Sequence, residues 1–124
     1  MDSAFYSYLQ IRPLKTSDSF DISLLRAFLE EQNELQRESN HFYKNKEGGP
    51  FLSVFLAFVN NYDSWSSSNT NETMTNFISI TSSKVNDKVP AASIASCIKI
   101  ARFMHWELLE ETDDTYHLIW SPGN

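Results

Sequence analysis

Hydrophobic positions alternate at the start of this chain and then change period. Across residues 5–12, Phe5, Leu9 and Ile11 fall on one side and Tyr6, Tyr8 and Arg12 on the other, the pattern of a half-buried strand. Pro13 has no N–H to give a ladder, so it ends that strand or sits at its edge. Residues 17–21 then carry helix-start chemistry. Asp18 or Ser19 can cap free backbone N–H groups, and Asp21 suits the positive end of a helix. Ile22, Leu25 and Leu29, joined by Leu24 and Phe28, recur at helical spacing and predict a helix ending at 32–35.

Residues 36–46 fit neither period, although His41-Phe42-Tyr43 favours a strand. Glu47-Gly48-Gly49-Pro50 predicts a turn. The clearest strand covers 51–59. Leu52, Val54, Leu56 and Phe58 form one face, and Phe51, Phe55, Ala57 and Val59 the other. A strand apolar on both faces belongs in the middle of a sheet, covered on both sides. Residues 60–73 are polar and long for a loop in a small domain, and such loops are often functional or mobile. A further strand spans 74–82, with Ile78 and Ile80 on one face and Phe77 on the other.

A second helix starts near Pro90, with Asp87 as a nearby cap, and buries Ile94, Cys97, Ile98, Ala101 and Met104. The last segment reads as a hairpin, with strands at 106–111 and 116–120 joined at Thr112-Asp113-Asp114, before a tail at 121–124. The order β-α-β-β-β-α-β-β predicts a single α+β domain: a mostly antiparallel sheet of five or six strands with two helices on it.

Composition agrees. A chain of 124 residues suits one domain, 1–124, able to bury roughly two-thirds of its unfolded surface without a staple. Its 41% apolar and 14% aromatic content argues against disorder. The single cysteine excludes an internal disulfide and fits a reducing compartment. Residues 1–13 show no basic segment followed by an apolar one, so no signal peptide is expected, and the expected location is cytoplasmic. Asn71-Glu72-Thr73 matches a glycosylation sequon and, without a secretion signal, reads as chance. The longest apolar run is far too short for a membrane span, so no membrane partner is expected. A net charge of −6 disfavours nucleic acid as a partner and suits attraction towards a basic protein.

Residues 8–18, Tyr-Leu-Gln-Ile-Arg-Pro-Leu-Lys-Thr-Ser-Asp, join a strand ending in Ile11-Arg12-Pro13 to a helix start at Asp18. This stretch, extended to residue 30, resembles the opening of acyl-CoA-dependent acetyltransferases of the GNAT family. The resemblance implies a later turn, Arg/Gln-x-x-Gly-x-Gly/Ala, whose N–H groups hold the CoA pyrophosphate at a helix start. The chain departs from the family there. Gly48 and Gly49 precede Pro50 and a strand, and Gly123 lies in the tail. No position inherits a CoA-binding role, and no cofactor is expected. The same shortage of glycine excludes a P-loop or a dinucleotide-binding turn.

Other chemistry is sparse. His41, His105 and His117 lack metal-ligand spacing and Cys97 stands alone, so no metal is expected. Cys97 sits in an apolar helical stripe, where it packs as a small hydrophobe. The serines lack a GxSxG elbow. Two features stand out. Glu107, Glu110, Glu111, Asp113 and Asp114 fall within eight residues with no base among them. Glu30, Glu31, Glu34 and Glu38 form a second group, diluted by Arg37. A hairpin with unmixed charge repels itself, so it reads either as a guarded sheet edge or as an acidic docking patch. In the polar loop, Tyr62-Asp63-Ser64-Trp65 offers aromatic residues suited to anchoring an interface, or to folding back over the core.

Together these predict a small acidic inhibitor that binds a basic partner protein and catalyses nothing. Its concrete form is an immunity protein that occludes the active site of a nuclease-type bacterial toxin. Glu107, Glu110, Glu111, Asp113 and Asp114 would form its docking face, with Tyr62 and Trp65 as anchors. The comparison is one of class and rests on no shared motif. Two alternatives stand beside it. One is a small enzyme using His105, His117 and Glu107. The other is a phage or host regulator acting by protein contact.

Overall fold

The structure, a computed structural model, describes residues 5–113 and 115–123. Its strands are β1 (Tyr6–Arg12), β2 (Phe20–Asp21), β3 (Leu35–Arg37), β4 (Phe42–Asn45), β5 (Leu52–Ala57), β6 (Met74–Thr75), β7 (Phe77–Ser83), β8 (Glu107–Thr112) and β9 (Thr115–Trp120). Helix α1 covers Ile22–Glu31 and α2 covers Ala91–Met104. Seven strands form one sheet in the order β3-β4-β5-β7-β1-β8-β9, with every neighbouring pair antiparallel. Strands β2 and β6 pair separately. This is the expected α+β domain with more strands than expected, because 35–45 resolves into the short hairpin β3–β4.

The period-2 alternation of the central strands separates two faces. Leu9, Ile11, Val54, Ile78, Ile80 and Leu108 point one way and are fully buried. Helix α1 covers them with Ile22, Leu25 and Leu29, and α2 with Cys97, Ile100, Ala101 and Met104. Cys97 is a core residue as expected, and burial pushes its thiol pKa up to about 12. Ile94 and Ile98 are only half-buried; Ile100 takes the central place on that stripe.

The opposite face has no helix. Ala57, Val59 and Phe77 form a small second cluster there, covered by Phe55, Tyr62 and Trp65. Strand β5 is therefore central and covered on both sides, by helices on one and by the 60–73 loop on the other.

Several expected boundaries move for local reasons. The cap of α1 is Asp21, not Asp18 or Ser19: its Oδ1 accepts from the N–H groups of Ser23 (2.7 Å) and Leu24 (3.2 Å). The helix stops at Glu31 because Leu35 is drawn into the sheet. Pro90 precedes α2 as its cap residue without a side-chain bond, and Asp87 instead sits at φ 63° in the turn closed by Val85 and Lys88. The strand expected over 74–82 is interrupted at Asn76. There the Asn76 side chain donates to the Val59 carbonyl and accepts from the Val59 N–H, both at 2.8 Å, replacing one rung of backbone pairing.

Candidate functional site

The register decides which side chains share the uncovered face. Tyr8 stands opposite Glu111, Gln10 opposite Leu109, and Arg12 opposite Glu107. Glu111 in turn faces Tyr116, and Leu109 faces Leu118. On the other side of β1, Tyr8 pairs with Thr81 and Gln10 with Ser79. Small polar side chains on β7 thus lie low between taller aromatic ones.

The 60–73 loop forms the remaining wall. Asn and Ser side chains brace it: Asn69 Oδ1 accepts from the Ser66 N–H (2.6 Å), and Asn71 Oδ1 from the N–H groups of Thr73 (2.9 Å) and Met74 (3.0 Å). Trp65 then stacks on Phe55 with centroids 5.7 Å apart, and Tyr62 stacks on Phe77 at 5.3 Å.

The result is an open groove of about 600 Å³. The sheet lines it with Gln10, Ser79 and Thr81 beside Tyr8, Glu111 and Tyr116, and the loop with Tyr62, Asp63 and Trp65.

A chain of polar contacts fastens the loop to the sheet. Arg12 lies over the rings of Tyr62 (4.5 Å to centroid) and Tyr116 (4.4 Å). Its Nε donates to Gln10 Oε1 at 2.7 Å. Gln10 also hydrogen-bonds the Tyr116 hydroxyl, and that hydroxyl donates to Asp63 Oδ1 at 3.0 Å. Burial, then the bond to Asp63 and the Glu111 charge, raise the Tyr116 pKa above the usual phenol value. Burial chiefly raises that of Tyr62, with Arg12 opposing it. Both phenols stay protonated at neutral pH, as neutral hydrogen-bonding groups beside carboxylates.

The described acids of the last hairpin do not share one face. Alternation puts Glu107 and Glu111 on the open face, whereas Glu110 faces the helix side and accepts a 2.6 Å bond from the Ser7 hydroxyl. Asp113 is in the turn at φ 47°, and Asp114 lies outside the described residues. Tyr62 and Trp65 are half-buried against the sheet and still line the groove, so they serve the fold and the surface together.

His105 terminates α2 in a left-handed conformation and is exposed. His117 stands opposite Glu110 on the helix side of β9 and touches Thr115. The three residues of the enzymatic alternative are therefore not assembled: Glu107 and His117 belong to opposite faces, and neither imidazole lines the groove. Among the described residues no group of three His, Cys, Asp or Glu could hold a metal ion. No helix is long and apolar enough to cross a membrane.

The sequence reading missed Tyr8, Gln10, Asp63, Ser79, Thr81 and Tyr116 as parts of one site. Tyr8 carried a signal, as an aromatic at a strand position facing away from the apolar stripe, whereas Tyr116 alternates in phase with Leu118 and Trp120 and carried none. Their union required knowing that β7, β1, β8 and β9 are neighbours.

No protein-family model, curated protein or solved structure matches the chain.

Proposed function

We propose that this protein is a non-catalytic binding protein that docks a basic partner protein on the open face of its sheet. Its concrete form is an inhibitor of the immunity type, covering the active site of a nuclease-type toxin. One observation carries the reading. Asp63 and Glu111 line an aromatic groove and Glu107 stands on the same face, all three without an ion-pair partner among the described residues, while Glu30, Glu34 and Glu38 elsewhere have theirs in Arg37, Lys99 and Lys44. Carboxylates without an ion pair beside half-exposed rings attract a cationic surface, and the rings give it area to bury. Tyr6 and Tyr8 extend that aromatic surface, at 42% and 41% exposure.

Site-specific crosslinking in the cell that makes the protein tests this. A photoreactive residue at Tyr8 should capture a basic protein in a one-to-one complex, and the same residue at Leu24, exposed on α1, should not. Charge reversal of Glu107 and Glu111 to Lys should slow association with the purified partner and flatten its salt dependence. An acidic partner, or one captured from Leu24 alone, would contradict the proposal.

A further inference from the structure

The geometry points to a more specific occupant: we propose that the groove is a socket for an arginine side chain of the partner. The inference rests on the reading that the open face docks a basic protein, and it adds which side chain enters and what holds it.

Shape comes first. About 600 Å³ of open groove accommodates a long side chain together with the backbone that carries it. The floor is low because Ser79 and Thr81 are small, and Tyr8, Trp65 and Tyr116 rise around it. A flat cation can lie against such rings, because the π face is negative.

Charge comes next. Asp63 on the loop and Glu111 on β8 both line the groove, with Tyr116 bonded to the first and paired with the second. Only Oδ1 of Asp63 is used, by the Tyr116 hydroxyl; its other oxygen makes no hydrogen bond among the described residues. Two carboxylates lining one groove suit a planar donor fork with N–H groups on more than one edge, which is a guanidinium. The compact, strongly hydrated ammonium of lysine can satisfy one of them while keeping its water.

The neighbouring packing supplies an internal precedent. Arg12 already lies over the rings of Tyr62 and Tyr116, its Nε held by Gln10. This face therefore contains one guanidinium stacked on tyrosines, immediately beside a groove that offers the further rings of Tyr8 and Trp65 and two carboxylates that form no ion pair among the described residues. With a net charge of −6, the surrounding field favours a second cation there.

The test uses the intact protein and three short peptides, Ac-Gly-Ser-Xaa-Ser-Gly-amide with Xaa arginine, lysine or citrulline. Each is titrated to about 10 mM into ¹⁵N-labelled protein, a range that detects millimolar binding. The arginine peptide should give saturable shifts at the Trp65 indole N–H and at the amides of 79–81 and 109–111. It should bind about threefold more tightly than the lysine peptide, and the citrulline peptide should not bind. Asp63→Asn with Glu111→Gln should weaken the arginine peptide about tenfold, with amide shifts elsewhere unchanged as evidence of an intact fold.

The socket is overturned if citrulline binds as well as arginine, if the shifts fall outside the groove, or if no peptide saturates. A neutral disaccharide such as maltose saturating the groove while the arginine peptide does not would overturn it as well, in favour of a sugar site. The two proposals fail separately. A basic partner crosslinked at Tyr8 but indifferent to each of its own Arg→Ala changes removes the socket alone; an acidic partner removes the docking reading itself.

Discussion

The two faces of the seven-stranded sheet are built from alternate residues of the same strands, yet they differ in almost everything else. The helix-covered face presents aliphatic side chains at 0% exposure and is closed by α1 and α2. The open face presents tyrosines, carboxylates, small hydroxyls and one stacked arginine, with a polar loop as its cover. A protein needing only stability could solvate that second face with alternating charges. Instead Tyr6 and Tyr8 are 42% and 41% exposed there, Tyr8 directly opposite Glu111. The difference shows that burial concentrates stability on the helix side and leaves polar and aromatic groups accessible on the other.

Substitutions at adjacent positions of one strand probe this division most sharply. Ile80→Ala, on the helix side, should cost about 2–5 kcal/mol in chemical denaturation, the range for emptying a fully buried aliphatic site. Thr81→Ala, one residue on and in the groove floor, should stay within about 0.5 kcal/mol. Comparable losses would break the comparison. Trp65→Ala should fall between them, at about 1–2 kcal/mol, because half-buried rings in contact contribute by area and by stacking. Hydrogen exchange should then accelerate across 60–73 while β5 and β7 stay protected.

Tyr43 tests the helix side electrostatically. It is fully buried and donates to Glu30 Oε2 at 2.8 Å; burial, then that carboxylate, raise its pKa well above the usual phenol value. A phenol raised on folding stabilises the native state fully below the unfolded pKa, about 10, and the contribution is lost as pH rises beyond it. Tyr43→Phe should cost about 1 kcal/mol at neutral pH, and its deficit relative to wild type should shrink above about pH 10. A deficit that grows with pH would refute the assignment. Tyr116→Phe is the counterpart on the open face. It removes the bond to Asp63 and should cost about 0.5–1 kcal/mol, with faster exchange confined to the loop.

How much of this was legible beforehand depended on whether a feature was local. The periods of residues 5–12, 22–29 and 51–59 were readable because burial repeats every two or 3.6 residues whatever the partner element is. The hairpin at 35–45 was not, since each arm has too few residues to establish a period, and its pairing with β5 decides the outcome. The acids of 107–114 read as one cluster along the chain. In the strand, neighbouring residues point in opposite directions, so Glu110 and Glu111 part company. Trp65 was legible as either anchor or cover, and its position serves both. The groove itself was illegible, because it joins β7, β1, β8, β9 and a loop that sequence distance keeps apart.

Glu110 and Glu111 give the most direct test of the central claim, that the open face is the binding surface. They are adjacent, carry the same charge and face opposite sides of β8. Dissociation constants for the crosslinked partner should be measured with Glu110→Lys and Glu111→Lys at about 1 M salt, where the screening length is roughly 3 Å and only direct contacts count. The account predicts at least about tenfold weakening for Glu111→Lys and less than about twofold for Glu110→Lys. Equal losses, or a larger loss at Glu110, would contradict it.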